Sequence, residues 1–445
     1  MPEMTVESAA SELQKRIEHR AARVGILGLG YVGLPLGLTF AEKGFSVIGF
    51  DVDPEKIEAL GKGASYIKHL DPDRVGAVTR AGLFAATADF SRVAEPDALI
   101  ICVPTPLTLQ REPDMSFVVS TVTEIAKRLR RGQLVVLEST TYPGTTDVLV
   151  RGLLEETGLK CGEDFFLAFS PEREDPGNKS FATATIPKIV GGVDPVSGDL
   201  AQALYDQVIA RTVRVDSART AEAAKLVENI FRAVNIALVN ELKTVFDRMG
   251  IDVWDVLEAA ATKPFGFMRF NPGPGLGGHC IPLDPFYLAW KAREYGVTAK
   301  FIELAGEVNV QMPHYVLQKL QFGLNERGKA VKGSRILILG LSYKKDVDDT
   351  RESPAFEIID GLLRMGAQVS YHDPHIPRTP RMRSWPLLKA MDSQPLTRDL
   401  LASQDAAVIV TDHSAVDYDL ILRSSPLVVD SRGVYRRAQP NVVKA

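Results

Sequence analysis

The stretch VGILGLGYVGLPLGLTFAEKG (24–44) constrains the fold more than any other part of the chain. Its apolar start predicts a buried strand, Gly28-x-Gly30-x-x-Gly33 turns the chain, and LPLGLTFAEKG continues as a helix. With Tyr31 and Val32, these glycines let backbone N–H groups at a helix start approach a pyrophosphate, whose charge the helix dipole favours. The next apolar run, FSVIGFD, ends on Asp51, 23 residues after Gly28. A carboxylate there accepts from the adenosine ribose hydroxyls and repels a 2′-phosphate, so NAD is expected over NADP. Lys56, five residues on, is placed to flank the same ribose.

Apolar runs alternate with helix-like segments in two blocks. FSVIGFD (45–51), DALIICVP (97–104), QLVVLEST (133–140) and FFLAFSP (165–171) complete the first. RILILGL (335–341), AQVSYHD (367–373), DAAVIVT (405–411) and PLVVD (426–430) form the second. The fold class expected is α/β: two Rossmann-like, doubly wound parallel-sheet domains joined by a long helix and a helical section. That helix is AEAAKLVENIFRAVNIALVNELKTVFDRMG, with apolar residues every three or four positions, no proline and a terminal Gly250. The divisions expected are a helical extension over 1–22, a dinucleotide-binding domain over 23–216, a central helical section over 217–315 and a second Rossmann-like domain over 316–445.

A net charge of -4 offers no basic surface for nucleic acid or anionic lipid. No apolar run approaches the roughly 20 residues of a bilayer span, and the N-terminal text does not read as a signal peptide. Three cysteines in 445 residues argue against a disulfide framework and for a reducing cytoplasm.

Candidates for chemistry lie at expected strand ends and in loops. Ligands of open parallel sheets sit beyond the carboxyl ends of the strands, where Thr140 in ESTTYPG and Glu172 in SPERE fall. Lys225 and Asn229 are one turn apart on the long helix and share a face, which is equally the pattern of a solvated surface. Cys102, inside LIICVP, reads as a core thiol, and Cys161 in LKCGED shows no catalytic context. Cys280 follows Gly275, Gly277 and Gly278 in a proline-bounded loop that favours close approach to a ligand. A thiolate there is a nucleophile suited to an aldehyde, and a cation such as Lys225 would lower its pKa. His279 reads as a loop or substrate contact rather than a base, because adjacent residues point in different directions. The loop lacks the ligand spacing of a metal site, and no metal is expected there.

With GLGYVGLP (28–35), VPTP (103–106), EST (138–140), SPER (170–173), AAKLVEN (223–229), GGHCIPLDP (277–285), YKKDVDDTRESP (343–354) and VVDSRGVY (428–435), the chain resembles the nucleotide-sugar 6-dehydrogenases from about Arg23 to Tyr435. The resemblance implies a four-electron oxidation of a sugar C6 alcohol to a carboxylate, using two NAD+. It assigns Thr105, Thr140 and Arg351 to the cofactor side, and Glu172, Arg173, Lys225, Asn229, Gly277, Lys344 and Arg432 to a UDP-sugar. Cys280 would hold the aldehyde as a thiohemiacetal, Lys225 and Asn229 would steady the oxyanion, and Glu172 or Asp284 would serve as base. It also implies a homodimer or higher homo-oligomer built on the central helices, with Arg269 a candidate for lending charge to a neighbour's substrate.

Two departures narrow the substrate. Pro176 in SPEREDPG stands where the glucose enzymes carry a second glutamate, and the thiol loop reads GHCIPLDPFYL. Both resemble the branch oxidising UDP-N-acetylhexosamines, UDP-N-acetylglucosamine foremost, for surface polysaccharide. UDP-N-acetylmannosamine and UDP-glucose remain alternatives, as does a two-electron alcohol dehydrogenase, which would need no thiol.

Overall fold

The computed structural model describes residues 6–67, 70–108, 110–173, 184–278, 281–380, 385 and 388–445. It divides into two compact units: Met1–Glu228 with Phe286–Val297, and Asn229–Pro285 with Thr298–Ala445.

The first unit is built on eight strands: β1 (Arg23–Leu27), β2 (Ser46–Phe50), β3 (Phe84–Thr87), β4 (Ala98–Ile101), β5 (Leu134–Leu137), β6 (Phe166–Phe169), β7 (Lys188–Gly192) and β8 (Thr212–Val215). Their order is β3-β2-β1-β4-β5-β6-β7-β8. Every neighbour is parallel except β6 and β7, which run antiparallel. Alternate residues of each strand feed opposite faces. Val24, Ile26, Ile100 and Val136 meet Phe40 and Tyr205, whereas Leu27, Ile101, Val135 and Leu137 meet Val118, Val122 and Leu154. Helices on both faces explain why these strands read as continuous apolar runs. The N-terminal helix Val6–Glu18 belongs to this body. Its Leu13 and Ile17 join the first core, each contributing roughly 1.5–3 kcal/mol by burial, and Arg16 pairs with Asp97 at 2.7 Å.

The second unit holds five parallel strands, β9 (Arg335–Leu339), β10 (Gln368–His372), β11 (Ala406–Ile409), β12 (Val428–Asp430) and β13 (Val442–Lys444), in the order β10-β9-β11-β12-β13. Ile336, Ile338 and Val408 face the helices Lys300–Asn325 and Pro354–Arg364. Leu337, Leu339 and Ile409 face Leu401 and Ile421 on the other side.

The doubly wound class expected from the sequence is thus the one observed. Differences lie in detail. The sequence runs of five to eight residues are strands of three to five residues, and their remainders flank the strands at either end. Four strands without a long apolar run, β3, β7, β8 and β13, were not anticipated. The long helix spans Ala218–Met249 without a break.

Candidate active site

In the first unit, the glycine turn is built around backbone contacts that a side chain would destroy. Gly28 sits at φ +97° and is packed on the carbonyl of Cys102, 2.6 Å from where a Cβ would lie. A Cβ on Gly33 would stand 1.9 Å from the Gly28 carbonyl oxygen, so the first turn of the helix Gly33–Glu42 admits no side chain there. Gly30 instead faces open space. The helix N-terminus carries no side-chain cap, leaving its N–H groups for a ligand. Asp51, just past β2, accepts from Leu29 N at 2.9 Å, Asp53 N at 3.0 Å and Lys56 Nζ at 3.0 Å. Tyr66, which the sequence did not single out, donates its hydroxyl to the Leu29 carbonyl. An uncapped helix start, an open Gly30 and an anchored carboxylate fit a dinucleotide, with Tyr31 and Val32 on the rim of the turn.

Beyond β4 and β5, the loops carry Thr105 and Thr140. Thr105 is buried and its carbonyl accepts from Tyr287 at 2.6 Å. Ser139 Oγ donates to Val103 O at 2.7 Å, tying the Thr140 loop to its neighbour.

Behind these loops lies an ionic cluster that sequence reasoning missed. Glu138 at the end of β5 and Lys188 at the start of β7 pair at 3.0 Å with side-chain exposures of 0% and 5%. Tyr205 donates to Glu138 as well. Lys188 also reaches Pro171 O at 3.2 Å and Glu172 Oε2 at 3.9 Å, which sets a positive charge beside Glu172. Burial pushes the Glu138 carboxyl up against the pull of Lys188. Burial works to lower Lys188, but Glu138 and Glu172 outweigh it and hold the ammonium charged. Cys102 is raised by burial and by Glu138, an inert thiol as its sequence context suggested. Arg173 is engaged by Glu228 at 2.6 Å and by Pro187 O at 2.7 Å.

The long helix presents a buried polar row, Glu222, Lys225, Asn229, Asn240 and Lys243. Steps of three, four, eleven and three residues, each close to a whole number of turns, keep them on one side. Glu222 accepts from Gly144 N at 2.7 Å, Thr146 N at 2.8 Å and Thr146 Oγ1 at 2.7 Å, capping the π-helical turn Thr145–Val150 that leads away from the Thr140 loop. Burial pushes its carboxyl up to about 7. Lys225 is buried at 7% exposure, so the solvated-surface reading of Lys225 and Asn229 is set aside.

In the second unit, Asn229 Nδ2 donates to Asp284 Oδ2, and Asp284 opens the helix Asp284–Glu294. Farther along the row, Asn240 Oδ1 accepts from Gly273 N at 2.9 Å and Lys243 Nζ donates to Gly273 O at 3.2 Å. Burial drives the Lys243 ammonium down to about 7. These bonds fasten the start of the glycine loop. Its later glycines pack tightly: a Cβ on Gly277 would lie 2.5 Å from Tyr343 Cβ, and Gly278 N donates to Arg351 O at 2.9 Å. His279 and Cys280 lie outside the described residues, as does Pro176. Arg432, after β12, donates Nε to Val410 O at 2.6 Å and places its guanidinium against Gly273. Lys344 lies in the loop beyond β9, and Arg351 grips Asp349 with contacts of 2.6 and 3.0 Å. Arg269 is exposed, with Nε bonded to Asn271 Oδ1 at 3.1 Å. Among the sequence candidates, Asn229, Arg269, Gly277, Asp284, Lys344, Arg351 and Arg432 belong to the second unit, while Thr140, Glu172, Arg173 and Lys225 belong to the first.

A glycine-turn NAD site on one Rossmann-like sheet and a second such sheet in series define a two-sheet NAD-dependent oxidoreductase. Three models of the UDP-glucose/GDP-mannose dehydrogenase family match in order: its NAD binding domain over 22–209, its central domain over 219–311 and its UDP binding domain over 337–437. The chain belongs to that family and is an NAD-dependent nucleotide-sugar 6-dehydrogenase. A UDP-N-acetyl-D-glucosamine 6-dehydrogenase of Pseudomonas aeruginosa is 38% identical over 80% of this chain and 83% of its own. A UDP-N-acetyl-D-mannosamine dehydrogenase of Pyrococcus horikoshii is 34% identical over 93% of this chain and 96% of its own. A solved structure titled as the UDP-D-ManNAc dehydrogenase of Pyrococcus horikoshii superposes with a TM-score of 0.86 at 32% identity, covering 95% of this chain and 98% of that one. Among the described residues no helix is long and apolar enough to cross a membrane.

Proposed function

We propose that this enzyme oxidises the C6 alcohol of UDP-N-acetylglucosamine to the 6-carboxylate in the cytoplasm, as a precursor step for surface polysaccharide. The observation that carries the reading is the loop GGHCIPLDP on its glycine anchor, with Asp284 held by Asn229. The Gly28–Gly33 turn and Asp51 would hold NAD+, which would supply the hydride acceptor for each of two oxidations. The chain's own residues do the rest. A base removes the C6 hydroxyl proton as hydride leaves, and the Cys280 thiolate adds to the resulting aldehyde to give a thiohemiacetal. Loss of the second hydride leaves a thioester, and water cleaves it to carboxylate and free thiol, with Glu172 or Asp284 taking the water's proton. Per sugar, two NAD+ and one water are consumed and two NADH formed. Lys225 and Asn229 stabilise oxyanion character at each stage. Lys188 sets its ammonium 3.9 Å from Glu172 Oε2. Lys344 and Arg432 supply cations for the diphosphate, and Arg351 serves the cofactor side. The functional divisions proposed are 23–216 for NAD, 217–315 for the catalytic loop and association, and 316–445 for UDP.

UDP-N-acetylmannosamine is the second reading, supported by the Pyrococcus horikoshii relative and its coverage of this chain. We also assign a homodimer to the long helix, whose outward face exposes Val227, Phe231, Leu238, Val245 and Met249 in one stripe. Arg269, in an exposed apolar loop with Phe265 and Met268, would then serve the partner's substrate. The deciding experiment supplies four UDP-sugars, the N-acetylglucosamine, N-acetylmannosamine, N-acetylgalactosamine and glucose derivatives, and measures NADH per uronate. Two NADH with UDP-N-acetylglucosamine preferred is expected. One NADH with free aldehyde accumulating would overturn the four-electron mechanism, and preference for another sugar would overturn the substrate.

A further inference from the structure

The carboxyl ends of β10, β9 and β11, three adjacent parallel strands, bring together side chains that the dehydrogenase chemistry does not use. Asp346 follows β9, His375 follows β10 and His413 follows β11. One ligand atom from each of the three lies within 4.8 Å of the others. His375 Nε2 and His413 Nδ1 each stand 3.8 Å from Asp346 Oδ1. Ligand atoms bound to one tetrahedral zinc at about 2.0–2.1 Å are roughly 3.4 Å apart. The two Asp346 edges are about 0.4 Å longer than that, and the set as a whole, which spans up to 4.8 Å, would contract on binding such an ion.

Its surroundings are those of a ligand set. His413 is fully buried, and its far nitrogen, Nε2, bonds Asp373 Oδ2 at 3.2 Å. Asp373 is itself fixed by Leu341 N at 2.6 Å, His375 N at 2.7 Å and Ile376 N at 3.0 Å. A metal-bound imidazole characteristically gives its second N–H to such a carboxylate, which turns the other nitrogen toward the ion. The Asp346 carboxylate is oriented by Ser414, through N at 2.7 Å and Oγ at 2.6 Å. His375 Nε2 is buried with no hydrogen-bond partner, an arrangement folded proteins avoid unless something is to be bound there. Asp346 holds the left-handed φ of +58° that brings its carboxylate to the two rings. The His413 Nδ1 lone pair now accepts from Asp346 N at 3.0 Å, and an ion would take that amide's place.

We propose that Asp346, His375 and His413 form a divalent transition-metal site, with zinc the ion that two imidazoles and one carboxylate suit best. Such donors do not favour magnesium or calcium, which call for oxygen ligands. The three protein ligands leave one coordination position for water. The ion ties together the loops after three neighbouring strands, including the segment that carries Lys344 and Arg351. No sequence motif announces the site, because its ligands are 29 and 38 residues apart in the chain and only the sheet order unites them.

The test is a Co2+ titration of the full chain in a Cys280→Ser background, which removes the competing thiol of the glycine loop, followed by visible absorption and thermal unfolding. Saturable d–d bands at one equivalent and a Tm rise that saturates with them are expected. His375→Gln and Asp346→Asn should each weaken binding by about tenfold or more. His413 is left in place because its loss would strand the buried Asp373. Absence of saturable binding overturns the proposal. So does binding of equal strength in the parent and in both variants, which would put the ion elsewhere.

Discussion

Asn229 donates its side-chain amide to the carboxylate of Asp284, joining the long helix to the first turn of another helix 55 residues further along the chain. The bond fixes which way the Asn229 amide faces and leaves the buried Asp284 carboxylate with a neutral donor. Replacing Asn229 with alanine strips that donor from a group of 4% exposure, a loss of about 1–3 kcal/mol in stability. If the pair also acts on the developing oxyanion, kcat should fall by about 10²–10³ while NAD affinity stays unchanged. A lower Tm with normal kcat would assign the pair a purely structural task.

Gly33 and Gly30 make opposite predictions although both belong to the same turn. At Gly33 a methyl group would collide with the Gly28 carbonyl, so Gly33→Ala must shift the helix start and should cost about 1–3 kcal/mol in stability along with NAD binding. Gly30 has nothing within 4 Å, so Gly30→Ala should fold normally and lose affinity only for the dinucleotide. Thermal unfolding with and without NAD separates the two, and equal destabilisation of both apo variants would contradict this account.

Cys280→Ser should retain NAD binding and abolish steady production of uronate, because an alkoxide of serine is a far poorer trap for an aldehyde at neutral pH than a thiolate. Rapid mixing should still show, at most, the first hydride transfer. Sustained turnover to acid by this variant would remove the thiol from the mechanism.

How much of this was legible in the sequence depended on whether a local pattern had one physical solution. The turn from Gly28 to Asp51 did, because glycines, strand, helix and acid must coincide to bind a pyrophosphate and a ribose. The long helix did not. Its apolar three- and four-residue spacing marks it as a helix but not its orientation: Val227, Phe231, Leu238 and Val245 are exposed while Glu222, Asn229, Asn240 and Lys243 are buried. Two stripes share that helix, and periodicity cannot say which one faces the protein. Glu138 stood in a quoted motif, but its partner Lys188 lies 50 residues away, and only the adjacency of β6 with both β5 and β7 brings the two together. Strands such as FAAT at β3 lack the β-branched run that marks a strand by itself and are set by pairing with β2.

Glu222 should make stability depend on pH in a direction unusual for a carboxylate. Burial raises its folded-state value to about 7 from the ordinary 4.5, so the folded protein holds this proton more tightly than the unfolded chain does. Its favourable contribution is complete below about pH 4.5 and is lost as the pH rises through 7, a change of about 3 kcal/mol. A Glu222→Gln variant cannot ionise. It also gives up one of the two oxygens that receive Gly144 N and the Thr146 groups, and this lowers stability by a similar amount at every pH. Urea unfolding at pH 5 and pH 8 should therefore find the parent well above the variant at pH 5 and the gap largely closed at pH 8. A gap that stays constant or widens with pH would mean that the three donors around Glu222 outweigh its burial and keep it ionised.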